Sequence, residues 1–109
     1  MATDLQFTIE QQSTPCEPND VRNAMLQVLR GLDHVHSHGY MHRDMKPANI
    51  LLHSNIALSE ARLALCDFGS ARKYFKDKNY TAMVGTLCYR APEILLGQVA
   101  YDFSIDMWR

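Results

Sequence analysis

Apolar residues recur at steps of three and four between residues 20 and 38, which predicts an amphipathic helix over that range. The stripe expected to face the core consists of Val21, Met25, Val28, Leu32 and Val35, broadened by Leu26 and Leu29. Asn19 or Asp20 is expected to cap the start of this helix, and Gly39 to end it in a left-handed turn. Gly31 lies inside it, where a glycine costs about 1 kcal/mol relative to alanine. We therefore expect a neighbouring segment to pack closely against Gly31.

Two short apolar runs farther along the chain, residues 50–52 (ILL) and 63–65 (LAL), predict a pair of strands. Each run is followed by polar residues, and the loop between the two strands is expected to cover residues 53–62. A short helix is expected to begin at Pro92, because proline is well tolerated in the first helical turn, and to end at Gly97.

The remaining segments carry weaker patterns. Residues 4–9 fit one short helix, and residues 11–18, which contain two prolines, fit a loop. Residues 70–86 mix charged and polar side chains with little periodicity, which predicts a mobile loop. Residues 104–109 resemble the first turn of a further helix. Together these elements predict an α+β fold that is mainly helical and contains a short β-hairpin.

Composition places the chain among folded proteins. Of its 109 residues 47% are hydrophobic and 21% charged, and the net charge of −1 offers no bulk attraction for nucleic acid or a membrane surface. No apolar run approaches the roughly 20 residues of a membrane span. Cys16, Cys66 and Cys88 are odd in number and widely spaced, which favours free thiols in a reducing compartment. The start of the sequence lacks the apolar core of a signal peptide. We therefore expect an intracellular protein, in cytoplasm or nucleus.

Three short runs carry candidate chemistry, in the order residues 42–49 (HRDMKPAN), residues 67–69 (DFG) and residues 91–93 (APE). Each run is a weak signal alone, but the three in this order and spacing are specific. The chain resembles the catalytic half of a eukaryotic protein kinase. The resemblance implies the mainly helical lower lobe of that fold, truncated, with the β-hairpin carrying the catalytic loop (residues 42–49) and the DFG run.

Phosphoryl transfer needs a placed hydroxyl, a metal-held phosphate and neutralised charge. Asp44 is the candidate to accept the proton of the attacking hydroxyl, and Lys46 the candidate to offset charge on the phosphate of ATP. Asn49 and Asp67 offer the oxygen ligands that Mg²⁺ prefers. The resemblance assigns the same roles to these four residues, and it implies that Thr86 bridges the catalytic aspartate and lysine. ATP and Mg²⁺ are the implied cofactors.

The resemblance also implies structural roles for four further residues. His42 and Phe68 are expected to stack in a hydrophobic column. Asp106 is expected to tie the helix at residues 104–109 to the catalytic loop. Glu93 is expected to pair with an arginine that lies outside this sequence, and a carboxylate without that partner is costly if it is buried.

The subgroup follows from two details of the sequence. Residues 46–49 (KPAN) are similar to the serine/threonine class. Residues 89–97 (YRAPEILLG) resemble the cyclin-dependent and MAP kinase group, called CMGC. A MAP kinase would show Thr-x-Tyr where this chain has residues 81–83 (TAM), so the cyclin-dependent kinases are the better match.

Regulation and substrate choice are implied by the same resemblance. Thr81 is the expected phosphorylation site, with Arg43 and Arg72 placed to clamp the phosphate. The alternative is a surface threonine that is never modified. Arg90 is expected to help form the pocket for the residue after the phosphoacceptor, which implies a proline-directed protein substrate. A cyclin-like subunit is the expected partner.

The resemblance covers residues 1–109 but well under half of a kinase domain, from just after the hinge between the lobes to the start of the helix after APE. The glycine-rich loop and lysine-bearing strand of the upper lobe are not in this sequence, nor is the rest of the lower lobe. Two functions stay open. The chain is a piece of an active serine/threonine kinase, or it is a non-catalytic decoy that binds a partner such as a cyclin-like subunit. In either case we expect the 109 residues alone to be inactive and marginally folded.

Overall fold

The computed structural model describes residues 3–11, 16–53, 58, 60–76, 78–81 and 84–108. In chain order the described elements are β1 (Thr3–Asp4), α1 (Leu5–Gln11), α2 (Pro18–Ser37), β2 (Tyr40–Met41), β3 (Ile50–Leu52), β4 (Leu63–Leu65), β5 (Arg72–Lys73), α3 (Pro92–Leu95) and α4 (Ile105–Trp108). The chain divides into two compact units. One comprises Met1–Gly31 and Pro47–Cys66, and the other comprises Leu32–Lys46 and Asp67–Arg109.

A three-stranded antiparallel sheet of order β1-β3-β4 forms the first unit. Ile50 lies opposite Leu65, which confirms the predicted strand pair, and the amide of His53 donates to the carbonyl of Arg62 (2.8 Å). The unit has its own small core, formed by Leu52, Leu58 and Ala61 with Leu5, Cys16 and Leu63 packed against it. Strand β1 was not predicted, because two residues are too few to show an alternating pattern.

Helix α1 begins one residue later and ends two residues later than predicted. Asp4 pairs with Leu51 in the sheet, and its Oδ1 accepts a hydrogen bond from the amide of Phe7 (2.8 Å). The carboxylate therefore satisfies one of the first amides of the helix, which is the role of an N-cap residue. Continuation of α1 to Gln11 shortens the predicted loop that follows.

Helix α2 begins at Pro18, two residues before the predicted start. The first helical hydrogen bond runs from the amide of Val21 to the carbonyl of Glu17 (3.1 Å), so Glu17 holds the cap position and Pro18 the first helical one. The carboxylate of Asp20 accepts from the amide of Glu17 (3.2 Å), which is half of a capping box. The expectation that Asn19 or Asp20 is the cap residue was therefore wrong. Gly39, with φ of 84°, confirms the left-handed end.

The buried face of α2 differs from the predicted stripe. Ala24, Val28 and Leu32, each four residues apart, are at most 7% exposed. Val21 and Met25 are 49% and 47% exposed, so that part of the prediction was wrong. The predicted stripe was too wide, because among its members within the described structure Val28 and Leu32 are buried whereas Val21, Met25, Leu26 and Leu29 are each more than 40% exposed.

Gly31 confirms the expected close approach. A Cβ atom at this position would lie 3.3 Å from both Cγ and Cδ1 of Leu65 on β4. Helix and strand pack more closely here than most side chains would allow.

The second unit pairs β2 with β5, with Met41 opposite Arg72. Its core consists of Met41, Tyr80, Val84, Ala91, Ile94, Tyr101 and Ile105, with Tyr74 and Phe103 packed against it. The prediction of an unstructured loop over residues 70–86 was thus wrong in part, since the segment contains β5 and two core residues. Long-range pairing with Met41 creates this strand, and local periodicity could not reveal it.

Helices α3 and α4 follow the expected boundaries to within a residue. Proline opens α3, and Gly97, with φ of 82°, ends its last turn. Before α4, the Oδ1 atom of Asp102 accepts from the amide of Ser104 (2.9 Å) and from its hydroxyl (2.6 Å).

Asp102 gives a pH-dependent contribution to stability. The hydrogen bond from the Ser104 hydroxyl, and then the one from its amide, lower the pKa of Asp102 from 3.8, against a smaller opposing effect of burial. A lowered folded-state pKa stabilises the fold above pH 3.8, and that stabilisation is lost as the pH falls through the folded value. The unfolding free energy of wild type minus that of Asp102→Asn, from urea titrations, should therefore shrink as the pH falls below 3.8. A difference that grows on acidification would contradict this assignment.

Candidate active site

The catalytic loop is anchored to α4 by the buried carboxylate of Asp106. Its Oδ2 accepts from the amide of His42 (2.8 Å), and its Oδ1 accepts from the amide of Arg43 (2.9 Å). His36, near the end of α2, places its Nε2 2.7 Å from Oδ2. The side chain of Asp106 is fully buried, so these partners compensate a charge that would otherwise be expensive to desolvate.

Arg43 adopts a left-handed backbone conformation, with φ of 72°. Such a conformation costs an arginine about 1–3 kcal/mol and persists only where the surroundings enforce it. Arg43 is 4% exposed, and its guanidinium donates from Nε to the carbonyl of Ser70 (2.6 Å) and from Nη1 to the hydroxyl of Tyr101 (2.9 Å). These two hydrogen bonds, together with the one from the Arg43 amide to Asp106, hold the turn that directly precedes Asp44.

Asp44, Lys46 and Thr86 form one hydrogen-bonded cluster. The Oδ1 atom of Asp44 accepts from the amide of Thr86 (3.1 Å) and from its hydroxyl (3.0 Å). The ammonium of Lys46 donates to the same hydroxyl (2.6 Å), and its nitrogen lies 3.9 Å from Oδ2 of Asp44. Because an ammonium has no acceptor, the hydroxyl must accept from Lys46 and give its only proton to Asp44. Thr86 thereby fixes the positions of an anionic and a cationic group side by side.

This cluster has the chemistry for proton acceptance next to developing negative charge. A carboxylate held by two donors presents a defined oxygen to an incoming hydroxyl, and an adjacent ammonium stabilises negative charge. The side chains of Asp44 and Lys46 are 15% and 26% exposed, so both keep access to solvent.

Asn49 belongs to the first compact unit, whereas Asp44, Lys46 and Asp67 belong to the second. Asn49 ends a single 3-10 turn, Pro47–Asn49, and is 6% exposed. Its carbonyl accepts from the amide of Cys66 (2.9 Å), the residue immediately before Asp67.

Asp67 stands at the start of a 3-10 turn, Phe68–Ser70, in a left-handed conformation with φ of 57°. Its carboxylate is exposed, and the amide of Gly69 donates a long hydrogen bond (3.4 Å) to Oδ1. The next residue, Phe68, meets the ring of His42 edge to face, with centroids 4.9 Å apart. His42 is fully buried and Phe68 is 47% exposed.

Asn49 and Asp67, each taken within its own unit, offer oxygen ligands of the kind that Mg²⁺ accepts together with a nucleotide. Among the described residues no three His, Cys, Asp or Glu side chains group closely enough to hold a metal ion by themselves. Mg²⁺ is usually held by one or two carboxylates together with phosphate oxygens of its substrate. The exposed carboxylate of Asp67 and the amide side chain of Asn49 are ligands of that kind.

The expected phosphorylation cluster is only partly assembled. Thr81 is exposed, and its carbonyl accepts from the hydroxyl of Tyr101 (2.7 Å), which in turn accepts from Arg43. Arg72 is exposed and donates to the carbonyl of Ala71 (2.7 Å). Within the described residues Arg43 is thus one hydroxyl away from Thr81, whereas Arg72 makes no contact with it.

Arg90 and Glu93 both lie in the second unit, and each has neighbours that precede it in the chain. The Nε of Arg90 donates to the carbonyl of Gly85 (3.0 Å), whose φ of 80° only glycine adopts readily. Glu93 is half-buried, and with Lys76 and Lys78 it lines a cavity of about 530 Å³. In the described structure Glu93 forms no ion pair.

Sequence reasoning missed two residues of the site. His36 continues the buried row of α2, four residues after Leu32, and that spacing was the available signal. Tyr101 lies in the loop before α4, where no periodicity distinguishes it, so sequence offered no signal.

Among the described helices none has the length and apolar composition that crossing a membrane requires.

Comparison with known proteins identifies relatives of this chain. The family model for the protein kinase domain matches residues 1–109. Cyclin-dependent kinase G-2 of Oryza sativa subsp. indica is 41% identical over 109 residues, covering 99% of this chain and 15% of the relative. Human cyclin-dependent kinase 11B is 44% identical over 107 residues, covering 96% and 13%. Mitogen-activated protein kinase HOG2 of Zygosaccharomyces rouxii is 45% identical over 97 residues, covering 89% and 21%. The chain thus spans only a small part of these relatives.

A solved structure has the same fold. The crystal structure of the yeast RNA Pol II CTD kinase CTDK-1 complex matches with a TM-score of 0.88 and 34% identity, covering 99% of this chain and 34% of that chain. It confirms the predicted α+β kinase fold class. The chain therefore belongs to the protein kinase family, and its relatives are cyclin-dependent and MAP kinases of the CMGC group.

Proposed function

We propose that these residues are the catalytic part of a cyclin-dependent-kinase-like enzyme that transfers the γ-phosphate of ATP to serine or threonine in proteins. The observation that carries the proposal is the hydrogen-bonded cluster of Asp44, Lys46 and Thr86. Asp44 and Lys46 lie on the catalytic loop, which Asp106 anchors through a backbone amide. It supplies a positioned carboxylate and a positioned ammonium, which is what an in-line transfer requires of the protein.

In this proposal each side chain has one task. Asp44 orients the substrate hydroxyl and takes its proton, and Lys46 offsets charge on the transferring phosphate. Asn49 and Asp67 would hold Mg²⁺, which would supply charge neutralisation at the phosphates of ATP. His42 and Phe68 support this arrangement through their edge-to-face contact.

Regulation and specificity are proposed from the names of the relatives and from the contacts of Tyr101 and Arg90. The names of the cyclin-dependent relatives favour a cyclin-like partner. The Tyr101 hydroxyl, which bonds both the carbonyl of Thr81 and the guanidinium of Arg43, supports a link between these two residues. We propose Thr81 as the activating phosphosite, with Arg43 and Arg72 as its clamp. Arg90, fixed by the carbonyl of Gly85, is proposed to shape a pocket for proline after the phosphoacceptor.

The proposed domain assignment is a partial kinase domain over residues 1–109. Because the sequence lacks a glycine-rich loop and a lysine-bearing strand, the 109 residues alone should not transfer phosphate. The activity is proposed for a polypeptide in which these residues are joined to such a loop and strand.

Labelled ATP tests the proposal. The native polypeptide is assayed together with any cyclin-like subunit that copurifies with it. It should label a protein substrate on serine or threonine, and phosphoamino acid analysis identifies the labelled residue. Matched peptides with proline or alanine after the acceptor test the proline preference. An active preparation that labels only tyrosine would contradict the serine/threonine assignment.

A second candidate, a non-catalytic interaction module, is favoured by one observation. Val21, Met25, Leu26 and Leu29 on α2 are each more than 40% exposed and form an apolar surface. A native polypeptide that binds a cyclin-like subunit and transfers no phosphate would support this candidate.

Thr86→Val should lower the turnover of the native enzyme about 10- to 100-fold, because Lys46 loses the hydroxyl to which it donates. A hydrogen bond to a charged group is worth about 1.5–3 kcal/mol. The backbone amide of residue 86 still reaches Asp44, so some activity should remain. Thr86→Ser keeps the hydroxyl and should retain most of the rate. Equal rates for the valine and serine variants, measured as kcat with saturating ATP, would remove Thr86 from the site.

A further inference from the structure

Tyr101 joins the catalytic loop to the main chain at Thr81 through a single hydroxyl. The hydroxyl lies 2.9 Å from Nη1 of Arg43 and 2.7 Å from the carbonyl oxygen of Thr81. A guanidinium can only donate and a carbonyl can only accept, so the direction of both bonds is fixed. The hydroxyl accepts from Arg43 and donates its one proton to Thr81.

The surroundings hold this hydroxyl in place. Tyr101 is 6% exposed, and its ring packs against that of Tyr80, with centroids 5.4 Å apart. The amide of Tyr80 donates to the carbonyl of Val99 (2.7 Å), so the residue before Thr81 is fixed to the loop that carries Tyr101. Hydrogen bonds shielded from water in this way are stronger than exposed ones.

Arg43 connects the Tyr101 hydroxyl to the candidate active site. It precedes Asp44, has a left-handed backbone, and depends on its guanidinium bonds to Ser70 and Tyr101 to keep that turn. Loss of the Tyr101 hydroxyl would remove one of the two bonds from the guanidinium among the described residues. It would also release the carbonyl of Thr81.

We propose that Tyr101 is a positioning residue that ties Arg43 to the Thr81 segment while Thr81 carries no phosphate. The inference rests on the proposed kinase function and deepens its regulation. A phosphate on Thr81 would offer Arg43 a charged acceptor, and charge-assisted hydrogen bonds are about twice as strong as neutral ones. The tyrosine hydroxyl therefore sustains basal activity, and its importance falls once Thr81 is phosphorylated.

Tyr101→Phe tests the inference, with Tyr80→Phe as a matched control. The Tyr80 hydroxyl is also bonded, accepting from the amide of Phe75 (2.6 Å), but its described contacts include neither Arg43 nor Thr81. Each variant of the native polypeptide is made with threonine or with phosphothreonine incorporated at position 81. Both substitutions keep the aromatic ring in the core.

Phosphate transfer should fall about tenfold in Tyr101→Phe with threonine at 81, as expected for one hydrogen bond to a charged group. With phosphothreonine at 81 the loss should be less than about threefold, because the phosphate replaces the hydroxyl as acceptor for Arg43. Tyr80→Phe should change both forms by the same factor. Equal losses in the two forms of Tyr101→Phe would overturn the inference.

Amide deuterium exchange provides a readout that does not depend on catalysis. Peptides containing Thr81 should exchange faster in Tyr101→Phe and regain protection with phosphothreonine at 81. Exchange that is unchanged in Tyr101→Phe, or that phosphothreonine fails to slow, would overturn the inference. A wild-type enzyme that transfers no phosphate would overturn the proposed function instead, and the exchange experiment would still decide the role of Tyr101.

Discussion

Asp44→Asn is expected to lower phosphate transfer by the native polypeptide about 10²- to 10⁴-fold, the usual range for loss of a positioned general base. Asparagine can occupy the same space, and its amide oxygen can still accept from Thr86. It cannot take a proton from a substrate hydroxyl. The defect should therefore appear in kcat, with little change in the KM for ATP. Steady-state assays with labelled ATP separate the two constants.

The matched control for this change is Asp33→Asn. Asp33 is an exposed aspartate on α2, for which the described structure contains no side-chain hydrogen bond or ion pair. Its replacement should leave kcat and KM unchanged. An Asp44→Asn enzyme that retains the wild-type kcat would show that the carboxylate takes no proton in the rate-limiting step.

Asp106→Ala is expected to destabilise the protein by about 2–6 kcal/mol, because the buried amides of His42 and Arg43 each lose an acceptor at about 1–3 kcal/mol. This is a large fraction of the total stability of a typical domain, which is about 5–15 kcal/mol. Urea unfolding of the native polypeptide measures the loss. Amide exchange of peptides spanning residues 41–45 should also accelerate, since the catalytic loop loses its anchor.

Two companion variants keep this prediction testable if Asp106→Ala fails to fold. Asp106→Asn retains one carbonyl oxygen and should show an intermediate loss. Asp102→Ala removes an exposed aspartate four residues earlier and should cost far less. Similar losses of unfolding free energy in Asp102→Ala and Asp106→Ala would contradict the prediction. They would show that the two hydrogen bonds from backbone amides to buried Asp106 do not contribute the expected stability.

Local patterns were enough to predict much of the fold. Residues 50–52 and 63–65 are short, apolar and bounded by polar residues, and they pair as predicted. Strands β1 and β5 escaped prediction because each has only two residues and exists through pairing with a distant segment. The face of α2 was predicted too broadly, since Val21 and Val28 look equally apolar in sequence while only Val28 is buried.

In the candidate site, too, local motifs could be read from the sequence, whereas contacts between distant segments could not. Asp44, Lys46 and Asn49 could be singled out as candidates because they lie within one short run, and Asp67 because it begins another. Tyr101 was not found, since its position depends on how the loop before α4 folds back toward Thr81. Short sequence motifs show which chemical groups are present, whereas contacts between segments distant in sequence need the folded chain.

The proposed function requires that Asp44, Asn49 and Asp67 each reach magnesium-bound ATP in the native polypeptide. A crystal structure of that polypeptide with Mg²⁺ and a non-hydrolysable ATP analogue tests it most directly. We expect oxygens of Asn49 and Asp67 at about 2.1 Å from the metal. We also expect the carboxylate of Asp44 within hydrogen-bond reach, about 2.6–3.2 Å, of a substrate hydroxyl that faces the γ-phosphate. Nucleotide bound elsewhere, with these three side chains directed away from the metal, would contradict the account.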